Sequence, residues 1–292
     1  MSRLRLPLVV CACCLFWAFL GALLAAFFRH ALGGLIVGLL FGIGYTLAGV
    51  GAAEKFPLDV WGAQLLENAW APNLYEMLRE LCAKTDLALP TLYSIPRPEP
   101  NAFVVAGRDG NTAIIVTAGL TRHLESAEVH AVAALMMARL ATGVMPAWTI
   151  TATLAGLPLH LGLSLQKKRG LAWLGTAILA VFAYPAAGLA RLGWNEGIIA
   201  AADYHAAHLV EWPGALETAL AKMEAAWTGD AEQVAAGNPA TSFLFATPPL
   251  AAVPAVTFWQ RALAVFPYRS PNAAERAIRF LGEPATLPAE PA

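Results

Sequence analysis

The sequence predicts an α+β integral membrane protein, mostly helical, with two transmembrane hairpins and one composite polar domain that contains a small β-sheet. Of its 292 residues, 58% are hydrophobic and only 13% are charged, which is far more apolar than an ordinary soluble domain. Four long apolar runs, arranged as two pairs, account for this excess. Amphipathic and alternating segments between the pairs predict the polar domain.

The first two apolar runs, at roughly residues 6–28 and 31–50, are separated only by Arg29 and His30. Each reaches the roughly 20 residues that an α-helix needs to cross about 30 Å of hydrocarbon. The first run is too long for a signal-peptide core, and it leads into a second span rather than into a cleavage site. Together they predict a transmembrane hairpin over residues 1–51.

A second pair of apolar runs, at about 146–165 and 171–189, surrounds a basic turn and predicts another hairpin over residues 146–190. Four crossings return the chain to the side on which it began. Residues 52–145 and 191–292 are therefore expected on one side, as two parts of one polar domain. Basic residues flank the spans on both sides, so charge does not assign the orientation.

Charge and cysteine usage exclude several classes of protein. The net charge of −1 leaves no basic footprint for nucleic acid, so nucleic-acid binding is discarded. Three of the four cysteines, Cys11, Cys13 and Cys14, lie in the first apolar run, and Cys82 lies in a helical stretch. The C-x-x-C spacing from Cys11 to Cys14 lies inside that apolar run, so the chain predicts neither a disulfide framework nor a zinc knuckle.

The first polar segment predicts helices followed by a small sheet. Apolar residues recur at three- and four-residue spacing from 61 to 88, which fits two amphipathic helices broken near Pro72. Short β-rich runs follow at 90–95, 103–106 and 113–117, and a tight turn joins the last two. The sheet is therefore expected to end in a hairpin.

The remaining polar segments are predicted to be mainly helical. A helix from about Ser126 to 141 has an acidic residue near its N-terminus, where a carboxylate suits the helix dipole. Further helices are expected at 194–210 and 213–227, and a short one at about 273–281. The Pro-rich tail that follows is expected to be loose.

Both polar segments contain a series of short motifs. In the first polar segment they are Ala71-Pro72-Asn73-Leu74-Tyr75, Leu89-Pro90-Thr91-Leu92-Tyr93-Ser94-Ile95-Pro96, Asn101-Ala102-Phe103 and Thr117-Ala118-Gly119-Leu120. In the second they are Asp203 with Ala206 and Ala207, Asn238-Pro239-Ala240, Leu244-Phe245, Pro248-Pro249-Leu250, Ser270-Pro271 and Glu275-Arg276. This series resembles the HtpX-type membrane zinc metallopeptidases, which are relatives of the CAAX prenyl proteases. The motifs fall in the family's order over roughly residues 5 to 281, with Ser270-Pro271 where the family has His-Pro.

The zinc site of that family is absent from this chain. Its enzymes use His-Glu-x-x-His on one helix, where two histidines bind zinc and the glutamate polarises the metal-bound water. The corresponding positions here are Leu135, Met136 and Arg139. The family's third ligand, a glutamate four residues before an aspartate, corresponds to Ile199 before Asp203. The chain is therefore predicted to be a pseudopeptidase, with a metallopeptidase-like domain but neither catalytic residues nor the zinc expected of the family.

Arg139 and Asp203 suggest what replaces the metal. A guanidinium at a ligand position would repel a divalent cation. We expect Arg139 to pair with Asp203 across the old site, so that a salt bridge links the two helices. The alternative is that Arg139 points to solvent and Asp203 caps a backbone group.

Two functional alternatives involve histidines. His205 and His208, three residues apart, can share a helix face and form the best remaining cluster for a relocated metal. No glutamate adjoins them as a base, so an active enzyme with relocated ligands is the less favoured hypothesis. His160 lies inside an apolar run, but the four runs contain no acidic residue, so a transporter would lack a proton relay.

The favoured interpretation is a protein that binds or regulates membrane proteins or a partner protease. The alternating run Phe103-Val104-Val105-Ala106 could offer a strand edge to an extended or membrane-tethered peptide. The competing interpretation is a hairpin that packs only against its own helices. A third is a structural subunit of a membrane complex or homo-oligomer, with glycines allowing close helix contact. The lipid bilayer is the expected partner in each case, and the resemblance implies a bacterial cytoplasmic membrane with the termini and polar domain in the cytoplasm.

Overall fold

A computed structural model of the chain describes residues 5–193, 196–226, 238–247 and 275–276. Over these residues the protein is mostly helical, with one small mixed sheet. The α-helices are α1 Arg5–Ala26, α2 Ala31–Gly51, α3 Lys55–Trp61, α4 Pro72–Thr85, α5 Leu120–His123, α6 Ser126–Ala141, α7 Met145–Gln166, α8 Ala172–Gly193, α9 Glu196–Leu209 and α10 Gly214–Ala226. The strands are β1 Gln64–Leu65, β2 Thr91–Ile95, β3 Ala102–Ala106 and β4 Thr112–Thr117.

Helices α1 and α2 form the predicted hairpin, and glycines set how closely they pack. A Cβ atom added to Gly38 would collide with the carbonyl oxygen of Trp17, and one added to Gly34 would collide with that of Gly21. These glycines therefore let the two backbones touch. Gly33 and Gly44 face open space instead. Much of the outer surface of the hairpin consists of exposed large apolar side chains, among them Leu15, Phe19, Leu40 and Phe41.

Three helices are long and apolar enough to cross a membrane, namely α1, α2 and α8. Helix α7 passes the same test only when it is joined to α6, across a bend of 92°. The number of candidate spans is therefore three or four. The first half of α7 is buried against the polar domain, where Thr149 Oγ1 accepts a hydrogen bond from the backbone N–H of Ala106 at 3.1 Å.

A proline inside α7 explains one contact with the first hairpin. Pro158 has no N–H, so the carbonyl of Leu154, four residues earlier, lacks its usual helical partner. The hydroxyl of Tyr45 in α2 donates to that carbonyl oxygen at 2.6 Å. The contact therefore satisfies a backbone group that the helix leaves free.

The sheet has the strand order β1-β2-β4-β3, in which β2 and β4 are parallel and β3 and β4 are antiparallel. The predicted hairpin is therefore confirmed. Its turn includes Gly110, whose φ of 83° suits glycine. The helix predicted before Pro72 is wrong, because Gly62 ends α3 with a φ of 62° and Leu65 then pairs with Tyr93 as part of β1. Helix α4 begins at Pro72, as predicted.

Helix α6 lies at the centre of the polar domain and contacts β3, α4, α9 and α10. Its predicted start is confirmed. The Glu125 side chain accepts from the backbone near the helix start, and Glu128 accepts from the N–H of Glu125 at 2.9 Å, which forms a capping box. Helices α9 and α10 confirm the two later predictions. Of the final predicted helix only Glu275 and Arg276 are described, both helical, and the predicted loose tail lies outside the described residues.

Candidate functional site at the contact between α6 and α9

The five positions that the resemblance aligns with a metal site lie on α6 and α9, where these two helices pack together, and all are buried. Leu135 and Met136 are fully enclosed, and Arg139, Ile199 and Asp203 are at most 3% exposed. A cavity of about 10 Å³ between α6 and the sheet is lined by apolar residues that include Met136. The place where the resemblance puts zinc is therefore filled by three apolar side chains together with the charged side chains of Arg139 and Asp203.

Asp203 forms a buried ion pair with Arg276. The Nε of Arg276 donates to Oδ2 of Asp203 at 2.7 Å, and a terminal nitrogen donates to Oδ1. The two side chains are only 2% and 3% exposed. This two-point geometry is the strong form of an arginine–carboxylate pair. Arg276 also donates to the carbonyl oxygen of Ala246 at 2.8 Å, so it links α9 to a third part of the chain.

The prediction that Asp203 pairs with Arg139 is wrong, because Asp203 pairs with Arg276 instead. Among the ion pairs of the described residues, Asp203 is joined to Arg276. Arg276 belongs to the Glu275-Arg276 motif of the sequence. Because 73 positions separate it from Asp203, no local sequence pattern indicates that the two side chains are in contact. The alternative with Arg139 in solvent is also wrong, since Arg139 is buried.

Arg139 instead binds successive backbone carbonyls. One terminal nitrogen donates to the carbonyl oxygens of Leu244 and Phe245 at 2.9 and 2.8 Å, and the other donates to that of Ala246 at 3.4 Å. These carbonyls lie at the end of a 3₁₀ turn and just beyond it. A guanidinium with several donors in one plane can satisfy several such oxygens at once.

The cluster of Arg139, Asp203 and Arg276 has one more positive than negative charge. Burial, the larger cause, and the positive charge of Arg276 together lower the pKa of Arg139 to about 10, against the opposing effect of Asp203. Arg139 therefore remains protonated near neutral pH. A buried cation at this position disfavours a divalent metal ion.

The relocated metal site does not assemble in the described part of the chain. His205 and His208 are exposed, whereas Asp203 points inward from the opposite face of α9. His208 shares a hydrogen bond of 2.8 Å with the carbonyl of Tyr204 and packs on its ring. Nowhere among those residues do three His, Cys, Asp or Glu side chains come close enough to hold a metal.

The predicted peptide-binding edge lies at the end of the sheet but is not free. Strand β3, which comprises Phe103, Val104, Val105 and Ala106 together with Ala102, is buried along its whole length. The N–H of Ala246 donates to the carbonyl of Ala102 at 2.7 Å, and Phe103 forms an antiparallel bridge with Phe245. The expectation of an exposed edge is therefore wrong, because another part of the same chain covers it.

Residues 238–247, which we call the strap, provide that cover. At its start, Asn238 accepts from the N–H of Ala240 and donates to the carbonyl of Gly156 in α7 at 2.7 Å. Further on, the indole nitrogen of Trp61 donates to Thr241 Oγ1 at 2.9 Å. The Phe245 ring lies 4.4 Å from that of Phe103 and 4.9 Å from that of Trp61, measured between centroids. The sequence showed the Asn-Pro and Leu-Phe motifs of the strap but not the surface on which it lies.

Near the other end of α6, Glu128 bonds to α10. Lys222 donates to one Glu128 oxygen at 2.8 Å and lies 2.7 Å from the other. Burial alone would raise the pKa of Glu128, but hydrogen bonds from Lys222, from the backbone of Glu125 and from Thr218 hold it below its ordinary value. Glu128 is therefore charged when α10 is in place.

No protein-family model matches this chain, and no solved structure matches it. The membrane character rests on the apolar helices. The likeness to HtpX-type peptidases stays a prediction from the sequence motifs.

Proposed function

We propose that this protein is a catalytically inactive, peptidase-like membrane protein that acts by binding membrane proteins, either as clients or as a partner protease that it regulates. The observation behind the proposal is the composition of the contact between α6 and α9. Where the resemblance puts two histidines and two glutamates, the chain has two apolar residues on α6, a buried arginine and Ile199. Such a set can neither hold zinc nor activate a water molecule.

The residues that replace the metal support a structural role for the old site. In zinc enzymes of this kind the ion ties two helices together. Here Asp203 and Arg276 tie α9 to the chain near residue 276, while Arg139 ties α6 to the strap. The polar domain can therefore keep its arrangement without a metal, and with it a surface for binding.

The proposal includes four membrane spans, α1, α2, α7 and α8. Helix α6 belongs to the polar domain, because Glu128 and Arg139 bond to α10 and the strap at its two ends. Both termini and the polar domain then share one side, which the resemblance places in the cytoplasm of a bacterium.

The test is the metal content and proteolytic activity of the full chain purified in detergent. We expect far less than one zinc ion per chain, with no cleavage of casein, whether or not zinc is added. The matched variants are Asp203→Asn and His205→Ala/His208→Ala. One zinc per chain that the histidine variant loses, together with casein cleavage by the unaltered protein, would show an active enzyme and refute the proposal.

A further inference from the structure

The turns of the two helical hairpins give one end of the molecule a strong positive charge. Residues 27–30 join α1 to α2, and residues 167–171 join α7 to α8. We propose that the two turns together bind the phosphate groups of anionic phospholipids in the leaflet opposite the polar domain. This inference uses the four spans of the proposed function, and it goes beyond that function because it names a lipid as ligand.

Contacts between α1 and α8 place both turns at the same end of the bundle. Leu189 of α8 packs against an apolar cluster that contains Val9 of α1. The ring of Phe182 lies 5.6 Å from that of Phe16, measured between centroids. Since the contacts advance along α1 while they go back along α8, the two helices are antiparallel. Each turn then begins about ten residues, or roughly 15 Å of helix, beyond the contact between the rings.

The charged side chains of the two turns are all basic and exposed. They are Arg29, His30, Lys167, Lys168 and Arg169. Neither turn contains Asp or Glu, and within the described part of the chain none of the five takes part in an ion pair. Their positive charge is therefore available to an anion outside the protein.

Exposed aromatic side chains place these charges at the level of the lipid headgroups. Phe27 and Phe28 are 86% and 76% exposed just after α1, and Trp173 is 70% exposed in the first turn of α8. Tryptophan is enriched where hydrocarbon meets water, because its ring is apolar and its N–H is polar. The neighbouring lysines and arginines can lay their apolar stems along the lipid and keep their charges among the phosphates.

Both turns are short and are held by backbone hydrogen bonds. In the first, the N–H of His30 donates to the carbonyl of Ala25 at 3.0 Å. In the second, the N–H of Lys168 donates to the carbonyl of Leu165 at 3.0 Å, and that of Leu171 donates to the carbonyl of Lys168 at 3.2 Å. Because the backbone is already ordered, binding a headgroup does not have to fix it.

A phosphodiester with a net negative charge is the ligand that fits this surface. A single lysine or arginine near a bilayer favours an anionic surface about fivefold, and arginine can bind phosphate through two parallel hydrogen bonds. Phosphatidylcholine offers the same phosphate, but its quaternary amine cancels the charge. Phosphatidylglycerol has no such amine, so it should gather at the turns.

The experiment measures which lipid lies next to Trp173. The full chain is reconstituted in vesicles of equal parts phosphatidylglycerol and phosphatidylcholine, in which one lipid or the other carries bromine on its acyl chains. Bromine quenches tryptophan fluorescence on contact. The difference between each protein and its Trp173→Phe counterpart isolates the signal of this one tryptophan.

Two triple variants test the role of the charges. Lys167→Gln/Lys168→Gln/Arg169→Gln removes three charges from the second turn. Arg79→Gln/Arg108→Gln/Arg122→Gln is the matched control, because it removes three exposed charges from the polar domain and changes the net charge equally. Circular dichroism confirms that both are folded.

We expect Trp173 to associate with phosphatidylglycerol at least about threefold more strongly than with phosphatidylcholine, in the natural protein and in the control. In the turn variant the ratio should fall towards one, and high salt should lower it in the natural protein. Equal quenching by the two lipids, a preference that survives in the turn variant, or equal loss in both variants would overturn the inference. So would loss of the preference when inorganic phosphate replaces chloride at constant ionic strength, since the occupant would then be a soluble anion. Because this measurement involves neither zinc nor cleavage, its failure leaves the non-catalytic function standing, and bound zinc with casein cleavage would leave the lipid preference standing.

Discussion

At the scale of single residues, the pair formed by Asp203 and Arg276 should be strongly coupled. Both side chains are almost fully buried. Removing one partner of such a pair leaves an uncompensated charge and typically costs about 3–5 kcal/mol. We expect Asp203→Leu and Arg276→Met each to lower the thermal unfolding midpoint markedly. The Asp203→Leu/Arg276→Met double variant should be more stable than the sum of the two losses predicts, since neither residue then leaves the charge of the other without its partner. Strictly additive losses, measured by differential scanning fluorimetry in detergent, would show that the two residues act separately.

Glu128 should give the polar domain a dependence on acid pH. Its pKa in the folded protein is held low by Lys222 and two further donors, while in the unfolded chain it takes a value of about 4.3. The stability that this pair contributes is complete above the unfolded value and is lost as the pH falls through the lower folded value. The difference in unfolding midpoint between the natural protein and Glu128→Gln should therefore shrink below about pH 4. The exposed Glu67→Gln substitution is the control, and a difference that stays constant down to pH 3 would contradict the assignment.

At the scale of elements, the contact between Tyr45 and α7 should depend on Pro158. Tyr45→Phe removes the donor to the Leu154 carbonyl and should cost about 1 kcal/mol. In a Pro158→Ala background the alanine N–H can bond to that carbonyl within the helix, so the same substitution should cost much less. Unfolding midpoints of the four proteins test this cycle. An equal loss of stability in both backgrounds would mean that the Tyr45 hydroxyl does not act by satisfying the Leu154 carbonyl that Pro158 leaves unpaired.

The sequence predicted the elements whose signals are local and missed those that depend on distant partners. Helix α6 begins where its capping residues indicate, and the turn before β4 follows from its Asp-Gly pair. By contrast, residues 61–71 have helical spacing, yet Leu65 enters the sheet because β2 offers it a partner almost thirty positions later.

The candidate site shows the same contrast between features that local sequence predicts and features that depend on distant partners. Leu135, Met136 and Ile199 are buried, as their apolar character favours. The partners of Arg139 were not predictable, because carbonyl oxygens are identical in every residue and no side-chain pattern marks them. A charged residue in an apolar helix indicates that a partner exists without indicating which one.

At the scale of the whole molecule, the bend between α6 and α7 leaves two topologies to distinguish. With four spans, the loop after α7 lies across the membrane from the polar domain. If α6 and α7 instead form a re-entrant pair, Lys168 lies on the same side as the domain. Both Asp109, in the β3–β4 turn, and Lys168 are exposed, so single cysteines at these positions in a cysteine-free background can report the sides.

We expect Lys168→Cys and Asp109→Cys to react with a membrane-impermeant maleimide on opposite sides. Lys168→Cys should be labelled in intact spheroplasts, together with Arg29→Cys in the turn of the first hairpin. Asp109→Cys should be labelled only in inverted vesicles or after permeabilisation. Labelling of Lys168→Cys and Asp109→Cys from the same side would reduce the spans to three and place α8 as the only crossing after the polar domain. The two parts of that domain would then lie on opposite sides of the bilayer, which is at odds with the buried contact between α6 and α9; this contact is the reason why we expect four spans.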